Sequence, residues 1–210
     1  MIPLVALSAI SYLAGGIPFS YLAGRLLRGI DLRDFGSGNL GASNTFRVLG
    51  SKVAIVVLVL DIAKGFSPVA FSGSFAAHSS LGPHWFGAAA MFFAILGHLY
   101  SPYLRFAGGK GIATSAGAFA ALVPWAFAGA LILFAVVFAA RRIVSLASIF
   151  ASLSLPLFVW GTGRLEIGDP HWSLLVVSFV IMCIVIAKHR DNIRRLLAGT
   201  EKKLSRAKAP

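Results

Sequence analysis

Acidic side chains are scarce in this chain of 210 residues, seven Asp and Glu against nineteen Lys and Arg, and charged residues of both signs make up only 12%. That is too little to clothe a water-soluble domain, so a soluble enzyme is excluded on composition. The net charge of +12 does not call for nucleic acid, because the basic residues crowd the segments between certain apolar runs and are absent from others. Cysteine is nearly absent too. Cys183 alone rules out an internal disulfide, its apolar surroundings make it a small core residue, and without a cysteine cluster nothing marks a metal site or a cofactor. What abounds is hydrophobicity, 58% of the residues with a mean hydropathy of +0.84. An integral membrane protein is expected, with space for one compact bundle of spans and none for a separate soluble domain.

The apolar runs can be taken in order. Ile2 to Leu27 reads as an uncleaved first helix, since it lacks a basic start and a small-residue cleavage site. Val53 to Ala77 is the second span, with Asp61 and Lys64 on one helical face and a kink or break expected near Pro68. Ala76 to Pro83, free of Lys and Arg, reads as an outer loop, and Trp85 to Tyr103 as the return. Ile112 to Ala140 is long for one span and short for two. A hairpin about Leu122 to Pro124 keeps Arg141, Arg142 and the basic C-terminal residues on one side, which the charge rule favours. Ile143 to Trp160 then crosses, Gly161 to His171 forms an outer loop with Arg164, Glu166 and Asp169, and Trp172 to Ala187 returns as a helix that runs on to near Gly199. The expected fold is an all-α bundle of about seven transmembrane helices, with the N-terminus outside and the C-terminus cytoplasmic. Residues 1–199 form one transmembrane domain. Residues 200–210 form a basic tail, in which Lys202 to Lys208 are drawn to anionic membrane lipids.

The polar exceptions carry the chemistry. Phe35 to Arg47 is an island in which Gly36, Gly38 and Gly41 are expected to turn through positive φ, while Ser37, Asn39, Ser43, Asn44 and Thr45 supply hydrogen-bonding groups and Arg47 a charged fork. That composition suits an anion such as phosphate, although a flexible connector between two membrane helices shares it. A second glycine-rich stretch, Gly108-Gly109-Lys110-Gly111, precedes a helix start and offers free N–H groups, a positive dipole end and a mobile cation. Its spacing is not that of a nucleotide-binding P-loop. Ser145 and Ser148 follow Arg141 and Arg142, and His189, Asn192 and Arg195 share one helical face. With the topology above, all these segments reach the cytoplasmic face. His98 reads as a residue that caps or packs its span.

In combination the chain resembles the bacterial membrane glycerol-3-phosphate acyltransferases that use acyl phosphate as donor, the PlsY family. The carriers are Gly36 to Asn44 with Arg47, Gly97-His98 leading to Phe106 to Gly111, and His189 to Ile193 with Arg195 and Gly199. Asp61 with Lys64-Gly65 and the serines after Arg142 also fit. Tyr100-Ser101-Pro102 departs from the family pattern only locally. The resemblance implies acyl transfer from acyl phosphate to the sn-1 hydroxyl of glycerol 3-phosphate in the bacterial inner membrane, giving lysophosphatidic acid and phosphate. A functional link to the enzyme that makes acyl phosphate follows from it. It implies Ser37, Arg47, Lys110, His189 and Asn192 as catalytic residues. Gly36, Gly38, Asn39, Gly41, Asn44, Gly108, Gly109, Gly111, Ser145 and Arg195 are implied as substrate-binding, with Asp61 and Lys64 as further candidates. Gly108, Gly109 and Gly111 are expected to cradle the donor phosphate while Lys110 counters its charge. Arg47 and His189 are expected to hold glycerol phosphate, and Asn192 to orient His189 or a substrate oxygen.

No histidine has an Asp five residues later, so the His-x4-Asp pair of other glycerolipid acyltransferases is absent. The proton acceptor is then either His189 or a substrate phosphate. Two readings from other classes compete: a transporter for an anionic solute, favoured by the hairpin and by the intramembrane Asp61 and Lys64, and a membrane scaffold with a lipid-binding tail. The first leaves the one-sided clustering unexplained, and the second leaves both glycine motifs without a role.

Overall fold

The computed structural model describes residues 1–164 and 172–205, and among these it contains helices and no strand. The α-helices are α1 (Ile2–Gly16), α2 (Phe19–Arg28), α3 (Ala42–Leu49), α4 (Ser51–Ala70), α5 (Ser72–Ala76), α6 (Pro83–Leu99), α7 (Ile112–Leu122), α8 (Pro124–Arg141), α9 (Val144–Arg164), α10 (Trp172–Lys188) and α11 (Arg190–Leu197). Prolines in the first turns of α1, α6 and α8 start helices where a missing N–H costs nothing. Five stretches are long and apolar enough to cross a membrane: Ile2–Arg28, Ser51–Ala76, Pro83–Leu104, Pro124–Arg141 and Val144–Arg164. The bent pair of α10 and α11 is a sixth, and α7 is a shorter apolar helix.

Membrane helices gain little from excluding water against one another, so close backbone approach holds them together. α1 crosses α6 where Gly15 lies against the Ala94 backbone and Gly97 against the Tyr12 carbonyl, and α4 crosses α7 where Gly65 meets the Thr114 carbonyl and Gly117 the Ile62 carbonyl. A methyl group at Gly15, Gly65, Gly97 or Gly117 would lie within 2.1 Å of one of these carbonyl oxygens. Around the crossings Leu7, Phe86, Met91, Ile95 and Phe119 fill a continuous core. Ile55, Val56 and Val59 of α4, Ile132 and Val136 of α8, and Val176 and Phe179 of α10 are exposed apolar side chains that lipid would cover.

The segment between Gly111 and Arg142 is a hairpin. α7 packs along α6, with Gly111 against Leu99 and Ile95 and Leu122 against Gly87 near the start of α6. α8 follows after a break at Val123 and ends at Arg142, whose carbonyl accepts the Leu204 N–H at 2.8 Å. Leu204 lies beside Glu201, which is joined through Asn192 to Lys110, so both ends of the hairpin meet at one end of the bundle.

Several expectations change. α4 runs through Pro68 to Ala70, and the interruption falls at Phe71, because a proline leaves only one carbonyl of the preceding turn without its donor. The expected loop from Gly161 starts later, as α9 continues to Arg164; Glu166, Asp169 and the remainder of that loop lie outside the described residues. The last helix is not continuous: α11 leaves α10 at 59°. The hinge is His189, where the backbone N–H is shared between the carbonyls of Val185 and Ile186 and the ring Nδ1 also meets the Val185 carbonyl at 2.8 Å.

Candidate active site

The island is shaped by one side chain. Asn44 is fully buried; its Oδ1 accepts from the Ser37 N–H at 2.7 Å and the Ser37 hydroxyl at 3.1 Å, and its Nδ2 donates to the carbonyls of Leu32 and Phe35 at 3.0 and 3.1 Å. Every hydrogen-bonding capacity of the amide is thus used within the loop. Asn44 therefore orders the island and has no group left for a substrate, which corrects its expected role. Gly36 and Gly38 do adopt positive φ, 65° and 70°. Gly41 does not: its backbone is extended at φ −177°, and its carbonyl instead starts α3 by accepting from the N–H groups of Asn44 and Thr45. Asn39 approaches Gly41 with its Nδ2. Before the island, Asp31 accepts two bonds from Arg33 Nε at 3.1 Å and one from Arg33 Nη2 at 2.6 Å, and Arg25 and Arg33 flank the ring of Tyr21. The fork of Arg33, first among several causes, holds the Asp31 carboxyl below its ordinary range.

The second glycine stretch is built differently. Gly108 and Gly109 sit where a side chain has no space: a methyl on Gly108 would lie 2.0 Å from the His98 carbonyl, and one on Gly109 2.2 Å from the Leu40 carbonyl and 2.3 Å from His98 Nε2. Contrary to the expectation from the sequence, the Gly109 N–H is not free for a phosphate, because it donates to the His98 carbonyl at 3.1 Å. The N–H groups of Lys110, Gly111, Ile112 and Ala113 find no backbone acceptor among the described residues. Gly111, at φ 80°, directs this row into α7. The result is a nest at a helix N-terminus, one residue later than expected.

Lys110 joins the two halves of the site. Its Nζ donates to Asn192 Oδ1 on α11, and Asn192 Nδ2 donates to Glu201 Oε1 at 2.6 Å. The same carboxylate accepts from Ser145 Oγ at 2.6 Å and from Arg195 Nε at 2.6 Å. Arg47, half-buried on α3, forms no ion pair among the described residues but lies within electrostatic reach of both Glu201 and Arg195. Burial pushes the Lys110 ammonium down to about 8, against the pull of Glu201. Burial works on Glu201 in the opposite sense, but the bonds from Ser145, Arg195 and Asn192 outweigh it and leave its carboxyl below the ordinary range. Lys110, Ser145, Asn192 and Arg195 are therefore brought together, with Arg47 nearby. His189 is buried at the hinge, its Nδ1 turned to Val185. Asn192 hydrogen-bonds Lys110 and Glu201, and no hydrogen bond to His189 occurs among the described residues, which leaves a substrate oxygen as the other group it was expected to orient.

Two groups stand apart or unforeseen. Asp61 and Lys64 pair at 2.7 Å inside α4 and line a small cavity of ≈ 10 Å³ with His98, Gly108 and Gly109, under the glycine turn and away from Glu201. Glu201 itself escapes sequence reasoning because it follows the helix stop at Gly199 in a basic segment. The available signal was the isolated acid there, which a lipid-binding tail has no use for.

The comparisons agree with one another. A family model described as glycerol-3-phosphate acyltransferase matches residues 5–199. A glycerol-3-phosphate acyltransferase of Trichlorobacter lovleyi is 43% identical, over 92% of this chain and 93% of that protein, and one of Macrococcus caseolyticus is 41% identical, over 93% and 94%. Crystal structures of PlsY, an integral membrane glycerol 3-phosphate acyltransferase, superpose with TM-scores of 0.86 for the glycerol 3-phosphate form and 0.83 for the lysophosphatidic acid form. Their sequences are 36% and 35% identical, covering 96% and 95% of this chain and 96% and 94% of those chains. The chain belongs to the glycerol-3-phosphate acyltransferase family.

Proposed function

We propose that this glycerol-3-phosphate acyltransferase takes its acyl group from acyl phosphate and delivers it to the sn-1 hydroxyl of glycerol 3-phosphate, forming lysophosphatidic acid. The observation that carries this is the cluster in which Ser145, Asn192 and Arg195 bond the Glu201 carboxylate and Asn192 in turn holds Lys110, beside the N–H row that opens α7. Two phosphorylated substrates need such a concentration of cations and donors if their charges are to be tolerated side by side.

In the reaction, the glycerol hydroxyl oxygen bonds to the acyl carbonyl carbon, the carbon–oxygen bond to phosphate breaks, and phosphate leaves with the electron pair. The N–H row at residues 110–113 holds the donor phosphate, and Lys110 meets the charge that grows on it. Arg47, which forms no ion pair among the described residues, holds glycerol 3-phosphate together with Ser37 of the island. Asn192 and Glu201 fix the Lys110 ammonium from behind. The hydroxyl proton passes to a substrate phosphate oxygen, while the buried His189 ring, with Nδ1 at the Val185 carbonyl, serves the hinge between α10 and α11. For the acyl chain, a groove of ≈ 470 Å³ runs between α1 and α4, lined by Leu7, Ile10, Ala14, Leu60, Phe71 and Phe75. Phe19 and Lys64 lie at its boundary with the glycine turn, because both also line the small cavity there. The protein needs no nucleotide pocket for such a donor.

Purified protein supplied with acyl phosphate and glycerol 3-phosphate should release lysophosphatidic acid and phosphate, and acyl-CoA should not replace the donor. Equal rates with acyl-CoA would overturn the donor assignment. Seven crossings, an external N-terminus and a cytoplasmic C-terminus in the inner membrane are part of the same proposal. With Cys183 replaced, a cysteine at Ser80 should react with an impermeant thiol reagent from outside and one at Ser205 should not.

A further inference from the structure

Asp61, Lys64 and His98 form a buried polar trio that no step of the proposed reaction uses. Their contacts run in one direction. Lys64 Nζ donates to the Ile17 carbonyl at the break between α1 and α2, at 2.7 Å, and lies 2.7 Å from Asp61 Oδ1. Asp61 Oδ1 faces His98 Nδ1 at 3.8 Å across the small cavity, whose ≈ 10 Å³ is about the space of one water molecule. The other edge of the imidazole, Nε2, presses on Gly109 so closely that a methyl group there would lie 2.3 Å away. The Leu40 carbonyl presses on the same glycine, 2.2 Å from that methyl position, and the His98 carbonyl takes the Gly109 N–H at 3.1 Å. Gly109 is therefore clamped between an imidazole on α6 and the end of the island.

We propose that His98 is a positioning residue of the acyl transfer: held by Asp61 and Lys64, it wedges Gly109 so that the N–H groups of residues 110–113 point at the donor phosphate. The proposal rests on the reading that the glycine turn binds acyl phosphate. An imidazole is rigid and planar, and it serves as a wedge only if its ring rotation is fixed. Asp61 on the Nδ1 side, at 3.8 Å beyond direct hydrogen-bond reach, supplies that constraint through a water in the cavity, as a carboxylate does for the far nitrogen of a histidine ligand. Lys64 in turn balances the carboxylate, which would otherwise lie uncompensated in an apolar bundle. His98 touches neither phosphate. Its effect travels through one glycine, so it should appear as the geometry of the donor site and leave glycerol 3-phosphate binding unaltered.

The test separates the two edges of the ring. His98→Gln places an amide where Nε2 sits, whereas His98→Asn reaches only the position of Nδ1 and leaves Gly109 unsupported. Steady-state kinetics of detergent-purified variants should show kcat/KM for acyl phosphate falling roughly 10–100-fold in His98→Asn and much less in His98→Gln, because misplacement of about 1 Å carries costs of that size. The KM for glycerol 3-phosphate should stay within about twofold of wild type in both. Equal losses in the two variants, or a glycerol 3-phosphate KM that rises with the donor KM, would overturn the proposal. Should His98→Asn fail to purify as a folded species, the Asp61→Asn/Lys64→Gln double variant carries the same test, since it keeps the trio neutral but frees the ring. A donor-selective loss supports the wedge, and an unselective loss or none rejects it. If wild-type protein does not turn over acyl phosphate at all, the donor reading falls and this inference falls with it. If wild type is active and the selectivity is missing, only the inference falls.

Discussion

The two glycine-rich loops carry three glycines each and are held in opposite ways. The island at residues 36–41 is organised from inside by Asn44, and two of its glycines are there for left-handed backbone, Gly36 at φ 65° and Gly38 at φ 70°. The turn at residues 108–111 is organised from outside. Gly108 and Gly109 serve contact, because the end of α6 and the Leu40 carbonyl occupy the volume a side chain would need. The first loop can therefore be damaged by removing a hydrogen-bonding group as well as by a methyl at Gly36, 2.3 Å from Asn44 Oδ1, and the second by adding a methyl that meets backbone. The difference also divides labour: an internally ordered loop leads into the helix that carries the half-buried Arg47, while a turn wedged from both sides can aim a row of N–H groups at a fixed point.

The largest effect should come from the charge that the second loop carries. Lys110→Ala is expected to lower kcat by about 10²–10³-fold with the fold retained, as loss of one donor to developing negative charge does elsewhere. Its pH dependence sharpens the assignment. With the ammonium pushed down to about 8 by burial, the free enzyme is charged below that pH, and kcat/KM should decline as pH rises through about 8. Lys110→Arg should move that decline to higher pH, and an unchanged profile would remove Lys110 from the step. Next comes Gly109→Ala, whose methyl meets the Leu40 carbonyl, part of a backbone that cannot swing aside. A loss of about 10²-fold in kcat/KM for acyl phosphate is expected. Near-normal kinetics would show that the turn is not tightly wedged.

The first loop should answer in stability. Asn44→Ala leaves the Ser37 N–H and the carbonyls of Leu32 and Phe35 without their partner, at a cost of about 3 kcal/mol read from thermal unfolding in detergent. The smallest effect belongs to Gly41→Ala. The backbone there is already extended, and the nearest atom to the added methyl is the Asn39 amide nitrogen at 3.3 Å, on a side chain free to move, so a change within about 0.5 kcal/mol is expected. If Gly41→Ala were as harmful as Gly109→Ala, the distinction between the two loops would collapse.

Much of the bundle was legible because span length and the placement of Lys and Arg are local properties of sequence. The hairpin at Val123 is one example: Pro124 and the charges at Arg141 and Arg142 pointed to it, and the contacts at both of its ends agree. The bend at His189 was not legible. No proline or glycine marks it, and it follows from the pull of Asn192 towards Lys110 and Glu201, a tertiary effect. In the site, Lys110, Ser145, Asn192 and Arg195 were anticipated as a group, and the structure gathers them. The island was read as polar chain suited to an anion, with a flexible connector as the alternative; the structure orders it through Asn44 and gives Gly41 an extended backbone, neither of which was expected. Conformation at a glycine and saturation of an amide depend on neighbours that composition does not name. Glu201 was hidden by the charges around it.

Glu201 also has a bearing on biosynthesis. The carboxylate ties Ser145, Asn192 and Arg195 into one arrangement, so these groups cannot assume it while residue 201 is still inside the ribosome. All the apolar helices from α1 to α10 precede it in the chain and can enter the membrane first. The order of synthesis thus places entry of α1 to α10 into the membrane before the bonds by which Glu201 joins Ser145, Asn192 and Arg195.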